Sequence, residues 1–306
     1  MTAMAAQKIS IDPVLLAKSQ AYCAALTRRA ARNFYYGLKL LPEPKRSAMY
    51  ALYGYMRLVD DIAYDQAHRT AEQRLRDLKQ WQDCTHAAIA GDPSKAHIIW
   101  PAFADLVNRY RIPAKLFDEM IDGQRQDMAG AGGEGVAAVA TFADLRAYCY
   151  RVAGVVGLAS LHVWGVEQGT VADVEGLAID RGIAFQLTNV LRDLKEDSFR
   201  GRCYLPEEDL RRFGVTAEQI AGGKAGQAFA ELMRFEIERA EGFYQSSAAL
   251  DGRVRADSRP TLQAMTEIYH GLLRKIAQRP ERALRRRVAL STWEKLRIGW
   301  KAMRAK

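Results

Sequence analysis

The segment FQLTNVLRDLKED constrains this 306-residue chain more than any other, because it places four oxygen-bearing side chains on one face of an otherwise apolar helix. Asn189, Asp193 and Asp197 recur every four residues. At the α-helical pitch they stand at about 0°, 40° and 80° and climb about 12 Å, with Gln186 inside the same arc. Their neighbours Phe185, Leu187, Val190, Leu191 and Leu194 mark the helix for burial, and a buried polar stripe needs partners. Such a donor set suits a hard cation such as Mg²⁺, which takes one or two carboxylates from a protein and completes its octahedron with water and phosphate oxygens.

A second constellation, RLVDDIAYD, lies far away in sequence. Asp60 and Asp61 project about 100° apart, Asp61 and Asp65 form an i, i+4 pair, and Arg57 and Tyr64 fall in the same sector. An arginine beside such acids suits diphosphate, since its fork grips phosphate oxygens while the carboxylates hold the metal. With 19 aspartates in the chain, about one Asp-xxx-Asp pair arises by chance, and three occur; Asp118–Asp122 is read as the chance pair on a solvated face. The flanking Tyr50, Leu52, Tyr53, Tyr55, Met56 and Leu58 argue that the Asp60 helix is buried.

Composition agrees with helix throughout. Apolar residues make up 49% and charged residues 26%, and the prolines number only nine, which excludes disordered, collagen-like and all-β chains. Helices are predicted over 47–65, 70–90, 113–128, 142–164, 173–197, 226–249 and 260–277, with glycine-bearing loops at 130–133 and 201–206. No linker divides them, so one domain over 1–306 is expected, with its core at about 21–290 and a basic segment at 291–306. The net charge of +9 is uneven: Asp251 to Lys306 holds 15 Lys and Arg against 5 Asp and Glu, which leaves the first 250 residues at −1. Cys23, Cys84, Cys149 and Cys203 have no metal or disulfide spacing and read as small hydrophobes, and His162 reads as a core histidine. MTAMAAQKIS lacks an apolar run long enough for a signal peptide, and 152–166 is too short to span a bilayer, so a cytoplasmic protein is expected.

Three blocks, NFYYGLKLLPEPKRSAMYALYGYMRLVDDIAYD, YCYRVAGVVG and QLTNVLRDLKEDSFRGRCYLP, resemble in this order the signature blocks of the squalene and phytoene synthase family, whose members join two isoprenyl diphosphates head to head. The resemblance implies an all-α isoprenoid synthase fold, its two aspartate-rich helices facing each other across a deep apolar cavity. It implies that Asp60, Asp61, Asn189, Asp193 and Asp197, with Asp65, hold Mg²⁺, or Mn²⁺ in its place. It further implies that Arg57 and Arg202 contact phosphate, that Gln186, Phe34 and Tyr53 bind substrate, and that Tyr148 and Tyr204 act with Arg57 in the reaction. Gly154 and Gly157 are expected to permit close helix packing beside an alkyl chain. Two departures stand out: the family's Asp-Asp-x-x-Asp has Tyr64 at its fifth position, with Asp65 one residue late, and Asn33 replaces a common serine. Tyr35, Tyr36, Tyr50, Tyr53 and Tyr55 are otherwise read as core aromatics.

The resemblance implies a fifteen-carbon substrate, two farnesyl diphosphates giving presqualene diphosphate, with geranylgeranyl diphosphate and phytoene as the alternative and dehydrosqualene or squalene as further products. NADPH is not expected, because no G-x-G-x-x-G follows a predicted strand and opens a helix. A non-catalytic assembly factor on the same fold would be expected to lose second-motif acids, and both are present. The basic tail alone makes no nucleic-acid module. In STWEKLRIGWKAMRAK, Trp293, Leu296, Trp300 and Met303 recur at helical spacing among Lys295, Arg297, Lys301 and Arg304, the composition of either a docked terminal helix or a peripheral contact on the inner face of a membrane.

Overall fold

The structure, a computed structural model, describes residues 11–304 except 66, 94–95, 131–136 and 225, and omits the side chains of 32–33, 129–130, 137–138 and 303. The readings of residues 1–10, of the glycine loop at 131–133 and of the Asn33 and Met303 side chains therefore lie outside the described residues.

The chain is helical, as expected. Asp12 accepts from Val14 N at 2.8 Å and caps α1 (Pro13–Ala30), whose first residue is a proline that needs no N–H partner there. After α2 (Arg32–Leu38) the paired prolines give way at Lys45 to α3 (Lys45–Tyr64), which carries the first acid block. A Thr70–Gln73 capping box opens the solvated α4 (Ala71–Ala90), and α5 (Trp100–Tyr110) and α6 (Ala114–Gly130) follow.

The helix expected over 142–164 is real but interrupted. It consists of α7 (Phe142–Cys149), a π-turn at Tyr150–Gly154 and α8 (Val155–Trp164). The bulge packs directly on Gly182 of α9 (Glu175–Arg192): a Cβ there would lie 2.4 Å from Ala153 O and 2.8 Å from Gly154 Cα. Gly157 meets α9 as tightly, since its Cβ would lie 2.7 Å from Ala178 O. The helix expected over 173–197 is also divided. The chain kinks at Asp193 (φ −102°, ψ 12°) before α10 (Leu194–Phe199), although Asp193 N–Asn189 O and Asp197 N–Asp193 O, both 2.9 Å, carry helical bonding through the bend. The loop expected over 201–206 instead contains a strand, β2 (Arg202–Pro206). It pairs in parallel with β1 (Ala137–Val139) in the register Ala137 with Arg202 and Ala138 with Cys203, so the short edge segment finds backbone partners a helix could not supply.

Beyond β2 come α11 (Glu207–Phe213), α12 (Ala217–Ala221), α13 (Gln227–Ser246), α14 (Leu250–Arg253), α15 (Arg259–Gln278) and α16 (Thr292–Arg304). α9 is central and packs against α8, α13 and α15, while α3 packs against α1, α5 and α6. A contiguous core runs through all of these. Tyr50 and Tyr55 belong to it as expected, whereas Tyr36, on the seven-residue α2, is 41% exposed. Cys23, Cys149 and Cys203 are buried, Cys84 partly so, and all four are free. Burial lowers the His162 pKa, as for a core histidine. No helix of the described residues is long and apolar enough to cross a membrane.

Candidate active site

α3 and α9 present their polar faces to two adjoining cavities. The larger, about 330 Å³, is charged; Arg57, Asp60 and Asp61 line it from α3, Gln186, Asn189 and Arg192 from α9, and Asp193, Asp197, Arg200, Arg202 and Tyr204 from the kink onward. The smaller, about 190 Å³, is walled by Tyr55, Met56, Val59, Met120 and the π-turn residues Arg151 and Val152. Asp60, Tyr64, Tyr148 and Gln186 line both, so they stand where a charged compartment meets a more apolar one. The kink at Asp193 is what turns the second acid block along the cavity.

Each acid has a distinct environment. Gln124 Nε2 donates to Asp60 Oδ1 at 2.6 Å, and burial pushes the Asp60 carboxyl up to about 7, with Asp61 and Asp127 adding to the rise and Arg57 opposing it. Asp61 is half-exposed and pairs with Arg57 at 2.5 Å. Asp193 is held by two guanidinium groups, Arg192 at 2.5 Å and Arg287 at 2.9 Å. Burial pushes Asp197 up to about 7 as well, Asp193 adding to the effect.

Asp65 does not reach either cavity. It sits at the C-cap of α3 with φ −75° and ψ 58°, and its carboxylate turns outward to His68 Nδ1 at 2.7 Å and Arg69 Nε at 3.4 Å. The helix has ended there, so the one-residue offset is not absorbed, and Tyr64 occupies the inward position. Phe34 and Tyr53 line neither cavity. Phe34 packs its ring on Tyr53 and Tyr269 at 6.3 and 5.4 Å, which places both among aromatics beside the charged compartment. Asp118 and Asp122 pair with His86 and Arg125, as expected of a solvated face.

The residue that sequence reasoning missed is Asp127 on α6. Its buried carboxylate accepts from Tyr64 Oη, accepts from Tyr204 Oη at 2.6 Å and pairs with Arg202 Nη1 at 2.9 Å. The Arg202 guanidinium also lies over the Tyr64 ring, 4.9 Å from its centroid. Tyr148 stacks on Tyr204 at 5.0 Å, their hydroxyls hydrogen-bond, and burial raises both phenols so that they stay protonated. Gln124 and Asp127 interrupt an apolar stripe that includes Met120, Ile121 and Met128, and that interruption was the available signal. Arg287, distant in sequence, carried none.

The donor set fits a metal–diphosphate ligand. Asn189 Oδ1 is a buried acceptor without a partner, and Arg202 Nε and Nη2 are buried donors without one, so the pocket offers both an oxygen ligand and anion-seeking N–H groups. Among the described residues no group of three or more His, Cys, Asp or Glu side chains is placed to hold a metal ion by itself.

The squalene/phytoene synthase profile matches residues 27–294. The chain is 33% identical over 293 residues to the 15-cis-phytoene synthase of Synechococcus elongatus, covering 92% of each. It is 33% identical over 283 residues to the phytoene synthase of Mycobacterium tuberculosis, covering 91% of this chain and 88% of that one. Among solved structures, a ligand-bound dehydrosqualene synthase superposes with a TM-score of 0.81 at 26% identity, over 95% of this chain and 97% of that one. The squalene synthase HpnC of Alicyclobacillus acidocaldarius shares the fold, with a TM-score of 0.77 at 24% identity over 88% and 97% of the two chains. With the profile covering most of its length and relatives above 30% identity, the chain belongs to the squalene/phytoene synthase family.

Proposed function

We propose that this chain joins two isoprenyl diphosphates head to head, and that it takes farnesyl diphosphate to form presqualene diphosphate. The observation that carries the reading is the shared wall of Asp60, Tyr64, Tyr148 and Gln186 between a charged and a more apolar compartment, which suits a ligand with a diphosphate head and a hydrocarbon tail. Asp60, Asp61, Asn189, Asp193 and Asp197 would hold Mg²⁺, whose charge, when bound, favours departure of the diphosphate. Arg57 and the free N–H groups of Arg202 bind the phosphate oxygens. The allylic C–O bond breaks, the second chain's double bond attacks the freed carbon, and a proton is lost as the cyclopropane closes. Two farnesyl diphosphates thus give presqualene diphosphate, diphosphate and one proton. The buried phenols of Tyr148 and Tyr204 remain protonated beside the site, and Tyr55, Met56, Val59 and Met120 of the smaller cavity shield the cation from water.

Tyr55, which lines the smaller cavity, is taken as the stop that favours the fifteen-carbon substrate. Tyr55 is fully buried and locked against Phe103 at 4.5 Å and Phe117 at 5.2 Å, so a longer chain would have to displace a packed aromatic cluster. A second reading, geranylgeranyl diphosphate as substrate, is favoured by the phytoene synthases among its relatives. Purified protein given Mg²⁺ with equal farnesyl and geranylgeranyl diphosphate, with and without NADPH, decides between them by product mass. A thirty-carbon cyclopropyl diphosphate is the expected product. A dominant forty-carbon product overturns the substrate, and squalene formed only with NADPH overturns the claim that reduction occurs elsewhere. A thirty-carbon product is an amphiphile that partitions into lipid, so the same reading calls for a lipid phase beside the protein.

A further inference from the structure

α16 is docked on the body by one face and carries a different face that the reaction does not use. With Trp293 set at 0°, the helical pitch places Ile298 at about 140° and Ala302 at about 180°. Ala302 is buried and Ile298 packs on the core, so this side is the attachment to α15 and α2. Glu294, the helix's sole acid, is committed to that attachment, pairing with Lys275 at 3.0 Å and accepting from Ser291 N at 2.6 Å.

The outer arc is apolar. Leu296, Trp300 and Trp293 fall at about 300°, 340° and 0°. They are 48%, 51% and 81% exposed, and they account for three of the nine large hydrophobics exposed among the described residues. Arg304, Arg297 and Lys301 follow at about 20°, 40° and 80°, all exposed, and the Arg304 guanidinium lies over the Trp300 ring at 3.6 Å. The exposed face is thus an indole–leucine ridge with a cationic flank and no acid beside it on the helix. Indoles are at home at the headgroup level of a bilayer, and a basic flank is complementary to anionic headgroups. A second copy of the chain is a poorer match, because a two-fold contact through this face would bring the two cationic flanks together.

We propose that the Trp293–Leu296–Trp300 face of α16 docks the protein on an anionic lipid bilayer, with Arg297, Lys301 and Arg304 against the headgroups. The surface is read from α16 alone; the proposal rests on the reaction above only for its consequence, release of a hydrophobic product next to lipid.

The full chain is floated with vesicles of phosphatidylcholine, alone or with about 30% phosphatidylserine. Wild type is expected to float with the anionic vesicles, to do so less as salt rises, and to shift its tryptophan emission to the blue. Trp100 and Trp164 are already buried and Trp81 is partly buried against the core, so the shift reports largely on α16. Trp293→Ser/Trp300→Ser is expected to lower the partition coefficient at least about tenfold. Arg297→Glu/Lys301→Glu is expected to lower it at least about tenfold for anionic vesicles only. All four positions are exposed, so thermal melting stays unchanged in both variants. Equal flotation of wild type and both variants, or equal wild-type binding to neutral and anionic vesicles, overturns the proposal. So does a dimer, seen by sedimentation, that the tryptophan variant abolishes without any vesicle binding. The product assay reads the reaction independently: activity without flotation removes the surface and leaves the enzyme, and flotation without a condensation product does the reverse.

Discussion

Asp127→Asn removes the anchor on which one wall of the cavity hangs, and its cost can be worked from the geometry. The Asp127 and Arg202 side chains are 5% and 6% exposed and pair at 2.9 Å, while two phenols donate to the same carboxylate. Hydrogen bonds to a charged group contribute about 1.5–3 kcal/mol each, and removing one member of a buried ion pair costs about 3–5 kcal/mol. Asparagine keeps one acceptor oxygen but turns an N–H₂ toward donors, so a loss of about 3 kcal/mol is expected. At about 2–4 °C per kcal/mol for a chain of this order, the melting temperature falls by about 6–12 °C. Turnover is expected to fall at least about tenfold as well, because Arg202 and Tyr204 lose their alignment in the proposed diphosphate site. Tyr64→Phe, which removes one donor, costs about 1–2 kcal/mol. Asp65→Asn disturbs only pairs to His68 and Arg69 at the surface, costs under about 1 kcal/mol and retains activity. Thermal melts and the product assay on the three variants form the test. An Asp127→Asn protein that melts and turns over like wild type, or an Asp65→Asn protein that is inactive, would falsify this assignment of roles.

Asp193→Asn and Asp197→Asn are each expected to lower turnover by at least about a hundredfold while circular dichroism is unchanged, since lost charge weakens the proposed metal–diphosphate site without opening a cavity; unfolding would instead make these acids structural. Asp60, Asp197 and Glu236 are pushed up to about 7 by burial, above their unfolded values of 3.8, 3.8 and 4.5. The folded chain therefore binds more protons than the unfolded one between about pH 4 and 7, so its stability falls across that window and levels off above it. Chemical denaturation between pH 5 and 8, at about one-unit steps, should show that decline, and a stability that rises with pH refutes it. Binding of Mg²⁺ and inorganic pyrophosphate, which needs the ionised acids, should release protons near pH 7, read as a buffer-dependent heat in calorimetry; no buffer dependence rejects the linkage. Gly182→Ala places a Cβ 2.4 Å from Ala153 O, a backbone atom that cannot swing aside, and is expected to cost about 1–3 kcal/mol and to shift the π-turn residues lining the smaller cavity. A variant as stable as wild type would show that α9 and the π-turn are not in close contact.

What the sequence determined by itself is what depends on local periodicity. The helical class, the start of α3 after the paired prolines, the capping box of α4 and the shared arc of Gln186, Asn189, Asp193 and Asp197 follow from spacing and propensity, which act within a few residues. The tertiary structure decided everything that depends on which side chains meet across the core. Asp65 is one residue away from a helical position, and only the end of α3 shows that it turns to the surface while Tyr64 turns inward. Asp127 looked like one aspartate among many until Tyr64, Arg202 and Tyr204, from segments 63 to 77 residues away, were seen to converge on it. The kink at Asp193, the π-turn against Gly182 and the pairing of β1 with β2 belong to the same class. Each is a departure from local helical geometry that is stabilised by packing or hydrogen bonding from another part of the chain. Spacing alone does not encode such contacts, because their energy is shared between residues far apart in sequence.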